Sequence, residues 1–152
     1  DAIPVADLGI TEIRLAIYDI GDDAALDINY GLANATHATD ADSITESVFF
    51  HLDGTALSIN AESDDGTTEV AATDTTVDAV DDTYHEVWID CRNIDDIQLY
   101  VDAVNVLAAT TFKLDAATGP MKPIVHIEKT SNDTVADVRV DFIRARATDL
   151  AV

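Results

Sequence analysis

Glu86, Trp88 and Asp90 are the residues whose types and spacing come nearest to a reactive set. They alternate along HEVWID and so share one face of an extended segment. Two acids around an indole can stack a sugar ring and hydrogen-bond its hydroxyls. Successive same-face side chains stand about 7 Å apart, a spacing compatible with the carboxylate pair of a retaining glycosidase. The same pattern also describes an ordinary solvent face with Trp88 covering an edge, and that is the stronger reading. Tyr84, Trp88 and Tyr100 form the candidate carbohydrate-binding set, as stacking platforms.

Asp doublets stand at Asp22–Asp23, Asp64–Asp65, Asp81–Asp82 and Asp95–Asp96. Calcium needs about six to eight oxygens converging from several loops, which a hairpin tip cannot supply alone. The doublet beside Gly66, Asp64–Asp65, is the best of them, but solvated turns account for all four. His37, His51, His85 and His126 lack zinc spacing, although His51 and His126 lie in strands and can approach one another across a sheet. There is no Gly-x-Ser-x-Gly elbow, phosphate loop or dinucleotide fingerprint. No catalytic residue, metal ligand or cofactor is assigned, and the chain is expected not to be an enzyme.

The elements that must position these residues read as strands. Ile13, Leu15 and Ile17 alternate with polar or small neighbours, as do Val87 and Ile89; Ile97, Leu99 and Val101; and Val138, Val140 and Phe142. Period two with β-branched enrichment marks half-buried antiparallel strands. SVFFHLDG and ALSINAES follow one another at hairpin distance. Gly31 inside LDINYGLANA implies a bulge or a close packing contact, and DTTVDAVDDT reads as a connecting loop. About nine or ten strands, with turns roughly every eight to twelve residues, predict an all-β, two-sheet antiparallel sandwich of the jelly-roll kind. A closed barrel is the alternative. The expected organisation is an N-terminal arm over 1–10 and one sandwich domain over 11–152.

The 152 residues carry 30 acidic and 8 basic side chains, a formal charge of −22. Such a field repels phosphates and anionic membrane surfaces, so neither nucleic acid nor membrane is an expected partner. It suits a saline medium, or a surface that binds cations or a basic partner; the scatter of Asp through turns favours the first. Cys91 is the one cysteine, so no internal disulfide forms, and its place after VWID suits a small core thiol. Arg139, Arg144 and Arg146 fall in the last strand and relieve the charge there. They can dock an acidic partner or pair with neighbouring Asp residues.

The order of these strands is similar to a known pattern. VFFHLDG, SINAES, TYHEVWID, IQLYVDAVNV, GPMKPIVHIEK and VRVDFIRARA resemble the concanavalin A-like lectin/glucanase jelly-roll found in structural proteins of tailed bacteriophages. The matching positions are Tyr84, His85, Ile89 and Asp90, then Tyr100, Val101 and Asp102, then Val140, Asp141, Phe142 and Ile143. They fall within Ser47–Ala147. Ala103 departs from the pattern, standing where many relatives carry Gly, which implies a looser turn.

The resemblance implies a virion structural protein: a capsid decoration or cement subunit on the capsid surface, bound to the major capsid protein and to itself as a homotrimer. Ile3, Pro4 and Val5 of the arm, with Arg139, Arg144 and Arg146, are the expected capsid or subunit contacts. The alternative is a lectin-like module that binds a glycan, which a decoration protein can also do.

Overall fold

The computed structural model describes residues 2–18, 26–36, 40–129 and 137–148. His37 and the Asp22–Asp23 doublet lie outside them. Ten strands are present among the described residues: β1 (Leu8–Tyr18), β2 (Leu26–Ala33), β3 (Ser47–Asp53), β4 (Ser58–Asp64), β5 (Glu69–Asp78), β6 (Tyr84–Asp90), β7 (Gln98–Val101), β8 (Val104–Val106), β9 (Lys122–Lys129) and β10 (Asp137–Ala147). They form two antiparallel sheets, ordered β10-β1-β6-β7-β8 and β5-β4-β3-β2-β9. The expected all-β sandwich is the observed fold. No described helix is long and apolar enough to cross a membrane.

Alternation builds the core. Ile13, Leu15 and Ile17 of β1, Val87 and Ile89 of β6, and Leu99 and Val101 of β7 are buried with Ile28, Tyr30 and Leu32 of β2 and Val48, Phe50 and Leu52 of β3. Each large apolar side chain taken fully out of water contributes about 1.5–3 kcal/mol, so this layer dominates folding. Cys91 is buried beside it, and burial, with the nearby Asp90 charge, pushes its thiol up to about 12. A Cβ on Gly31 would fall 2.2 Å from the Val48 carbonyl oxygen, which explains glycine inside β2 as a close backbone approach.

Three details differ from the sequence reading. A register shift in the β1–β10 ladder places Val140 opposite Leu15 and Phe142 opposite Arg14, with Asp141 between them unpaired. Ile143, not Phe142, therefore continues the inner face, opposite Ile13. Strand β5 runs on to Asp78, into the first half of the segment expected to be a loop, interrupted by register shifts against β4 and by Thr76 at φ 64°. The turn at Ala103 stays tight: Asp102 and Ala103 take φ of 49° and 65°, and Val101 pairs with Val104.

Of the segment expected to be an arm, 8–10 already belong to β1, and residues 3–5 lie against the sandwich. Ile3 exchanges backbone hydrogen bonds of 2.8 Å with Met121, and Ile3 and Val5 pack against the core. Pro4 stays exposed between them.

Candidate functional site

The outer face of the second sheet carries a polar row across its central strands. In register, His126 of β9 pairs with Asn29 of β2, Asn29 with His51 of β3, and His51 with Asn60 of β4. Asp27 and Glu62 share that face, two residues away from Asn29 and Asn60. Residues 41–44, ahead of β3, lie over it. Ala41 and Ile44 anchor there against Ala33 and Phe49, and Asp42 is held above Asn29 and His51.

His51 is the centre of this cluster and is only 9% exposed. Its Nε2 lies 2.8 Å from Asp27 Oδ1, and its Nδ1 lies 3.7 Å from Asp42 Oδ2 and 3.6 Å from Glu62 Oε2. These are charge contacts without hydrogen-bond alignment: both ring nitrogens and Asp27 Oδ1 are buried with no hydrogen-bond partner. The Asn29 amide N–H₂ donates to Asp42 Oδ1 and, at 3.2 Å, to Glu62 Oε1, so one amide orients two carboxyls.

Burial opposes a charge on His51, but Asp27, Glu62 and Asp42 outweigh it and push its pKa up to about 10. Asp42 moves the other way from a free acid. Burial first, then the negative charge of Glu62, raises it to about 6, against the attraction of His51. The cluster is thus a place where positive charge is favoured and negative charge is crowded. Beside it opens a pocket of about 200 Å³ lined by Asp42, Ser47, Glu62, Asp64 and Glu69, among others, with no Lys or Arg in its lining.

None of the expected site residues joins this cluster. Trp88 and Tyr100 lie on the outer side of the other sheet, ring centroids 5.7 Å apart, and the Trp88 indole N–H donates to Glu86 Oε1 at 2.7 Å. Tyr84 lies under the Arg14 guanidinium at 4.5 Å. Asp90 receives Arg92 Nε at 2.8 Å and Nη2 at 2.6 Å, and that pairing holds its carboxyl below the usual range. Glu86 and Asp90 are therefore engaged by different partners rather than facing a shared cleft.

The three arginines of β10 pair locally. Arg139 covers Tyr18 and bonds Asp137 at 3.1 Å; Arg144 lies over Phe142 and 3.8 Å from Glu12; Arg146 reaches Glu12 at 3.4 Å. The doublet Asp64–Asp65 is a turn device. Asp65, 1% exposed, accepts the Thr67 and Thr68 N–H groups at 2.8 and 2.7 Å and pairs with Lys113 at 3.3 Å.

The sequence reading singled out His51 and His126 but missed Asp27, Asn29, Asp42 and Glu62. The available signal was polar residues at outer positions of strands too central and apolar to be edges.

The two five-stranded sheets define a jelly-roll β-sandwich. No protein-family model matches the chain, and no curated protein matches it. Among solved structures, it is similar to the alginate lyase AlgAT5 from polysaccharide lyase family 7, with a TM-score of 0.63 and 16% identity over 97% of this chain. The chain spans 63% of that lyase's length. It is also similar to the Dario rerio galectin-1-L2, with a TM-score of 0.50 and 13% identity over 95% of this chain and 98% of that one. These likenesses establish the fold. They also correct the expectation of a non-enzymatic chain: the architecture that 97% of this chain shares with the lyase occurs in an enzyme, so the fold can be enzymatic. That expectation rested on the absence of local catalytic motifs and on the resemblance to virion proteins, whereas this fold assembles polar groups across strands.

Proposed function

We propose that the chain is a carbohydrate-active protein that binds a glycan on the outer face of β2, β3 and β4 and transforms it there. The observation that carries this reading is the pocket beside the His51 cluster, whose lining includes Asp42 and Glu62, the two carboxyls that the Asn29 amide holds. Glu62 is the group placed to exchange a proton with a bound sugar: it lines the pocket, and Asn29 fixes its orientation. The neighbouring folds, named as an alginate lyase and a galectin, support a sugar as the ligand class.

The pocket also favours one kind of sugar. Carboxyls of Asp42, Glu62, Asp64 and Glu69 accept hydroxyl or ammonium protons and repel carboxylates. A neutral or amine-bearing glycan fits; a polyanion such as alginate does not. The test is a panel of neutral, amino and anionic polysaccharides assayed for binding and for release of shorter products. We expect turnover of a neutral or amino polymer that falls roughly 10²-fold or more in Glu62→Gln while binding persists. Turnover confined to polyanions, or unchanged in Glu62→Gln, overturns the reading.

A second reading, display on a virion, is favoured by the free edge of β10. Val140 and Ile143 are 44% and 41% exposed there, on the strand that carries Arg139, Arg144 and Arg146 but on the opposite face from Arg144 and Arg146, and a capsid protein or a second and third copy can cover them. Co-sedimentation with capsid shells, lost in Val140→Asp/Ile143→Asp, tests it; a protein that never pellets with shells and stays monomeric removes it.

A further inference from the structure

We propose that Asp27, Asp42 and His51 form a binding site for one divalent transition-metal ion. One ligand atom from each lies within 4.8 Å of the other two, and the residues come from β2, the β2–β3 connection and β3. Carboxyl crowding alone makes no site. The second observation is His51, nine-tenths buried at the centre of the cluster, with neither ring nitrogen in a hydrogen bond. Asp27 Oδ1, equally buried, is also without one. Buried polar atoms left this way are costly unless another group satisfies them.

The geometry suits an ion. Two ligands on an ion with bonds of about 2.1 Å stand about 3.0 Å apart at the right angles of octahedral coordination, and about 3.4 Å apart on a tetrahedral ion. The 2.8 Å between His51 Nε2 and Asp27 Oδ1 is nearer the first of these, without hydrogen-bond alignment. Asp42 completes the set from a connection rather than a strand, and its side chain is 37% exposed, so an ion has an entry side. Asn29 and Glu62 supply the outer support that ligating carboxyls require, since Asn29 bonds Asp42 directly.

Ligand type selects the metal. An imidazole with two carboxyls favours zinc or manganese over calcium and magnesium, which prefer all-oxygen cages. The same carboxyls that favour a proton on His51 favour a metal ion in its place. The ion shares the face assigned above to a glycan, but its ligand set does not depend on that assignment.

The experiment is calorimetric titration of the full chain, without sugar, with Zn²⁺ alone and Mn²⁺ alone, in the presence of excess Ca²⁺ to occupy the general acidic surface. We expect saturation at one ion per chain and a loss of affinity of at least about tenfold in Asp42→Asn and in His51→Gln. Circular dichroism confirms that each variant is folded. Should either variant unfold, the His51 ring signals of the wild-type protein, followed by NMR, are expected to shift with one equivalent of Zn²⁺. Uptake without saturation, affinity unchanged in folded variants, or unmoved ring signals overturns the proposal. Zinc binding with no glycan response leaves the ion site standing and removes the sugar reading. Glycan turnover unaffected by a chelator, with no zinc uptake, does the reverse.

Discussion

Glu46 and Asp65 show how single carboxylates tie distant segments of this fold together. Partial burial works against the charge on Glu46, but N–H groups of Thr118 and Gly119, the Thr118 hydroxyl and the Asn34 amide outweigh it and hold its carboxyl below the usual range. Asp65 follows the same balance: burial opposes its charge, and the Thr68 and Thr67 N–H groups with Lys113 overcome it. Both groups therefore bind protons less readily folded than unfolded. Their stabilisation is complete above the unfolded carboxylate value of about 4 and disappears as pH falls through the lower folded values. Urea unfolding midpoints should fall steeply below about pH 4 in the wild-type protein. In Asp65→Asn the midpoint should already be lower at pH 7, and the acid dependence flatter. An acid limb of unchanged steepness in both Asp65→Asn and Glu46→Gln would show that these groups do not carry it. Sequence alone reads Asp65 as half of a solvated doublet, because nothing local reveals that Lys113 closes over it.

The hairpin of β7 and β8 states the same lesson for an element. Two residues with positive φ make the right-handed twist of a tight hairpin, a role usually taken by Asn-Gly or Gly-Gly. Here Asp102 fills one position usefully: its Oδ1 accepts the Glu86 N–H at 3.0 Å and its Oδ2 lies 2.8 Å from His85 Nδ1, tying the turn to β6. Ala103 fills the other at φ 65° with its Cβ against the backbone preference, a cost of about 1 kcal/mol. Ala103→Gly is expected to stabilise by somewhat less than that, because glycine also gains freedom in the unfolded chain. Denaturant unfolding measures it, and a destabilised variant would refute the strain.

The strands were legible because burial on one face imposes period two on each of them separately. The bulge at Asp141 was not, because the pairing partner, not the strand, decides where a ladder slips. The His51 site was illegible for the related reason that its members come from four elements. Asp27, Asn29 and Glu62 each read as an unremarkable outer position until register lines them up around His51.

For the molecule as a whole, charge is the property that conditions everything else. Eight cations face thirty acids. Several of those cations are spent in local pairs: Arg14 with Asp141 and Arg144 and Arg146 with Glu12 across strands, and Arg139 with Asp137 along β10. Such exposed pairs contribute about 0–1 kcal/mol each, and salt weakens them. The unmatched acids act in the opposite sense, since their mutual repulsion is felt more in the compact state than in the expanded chain. Raising salt from 0.01 to 0.15 M shortens the screening length from about 30 to 8 Å, which removes repulsion between acids on different strands while leaving close pairs partly intact. With so few cations, relief of repulsion exceeds loss of pairing. The melting temperature should therefore climb with sodium chloride over this range, by roughly 4–8 °C if the relief is about 2 kcal/mol. Differential scanning calorimetry in chloride salts separates screening from the surface exclusion that sulfate adds. The rise should be largest at low salt and flatten above physiological strength. A melting temperature that falls with chloride would mean the paired minority governs the surface, and the acidic majority is already neutralised by bound cations.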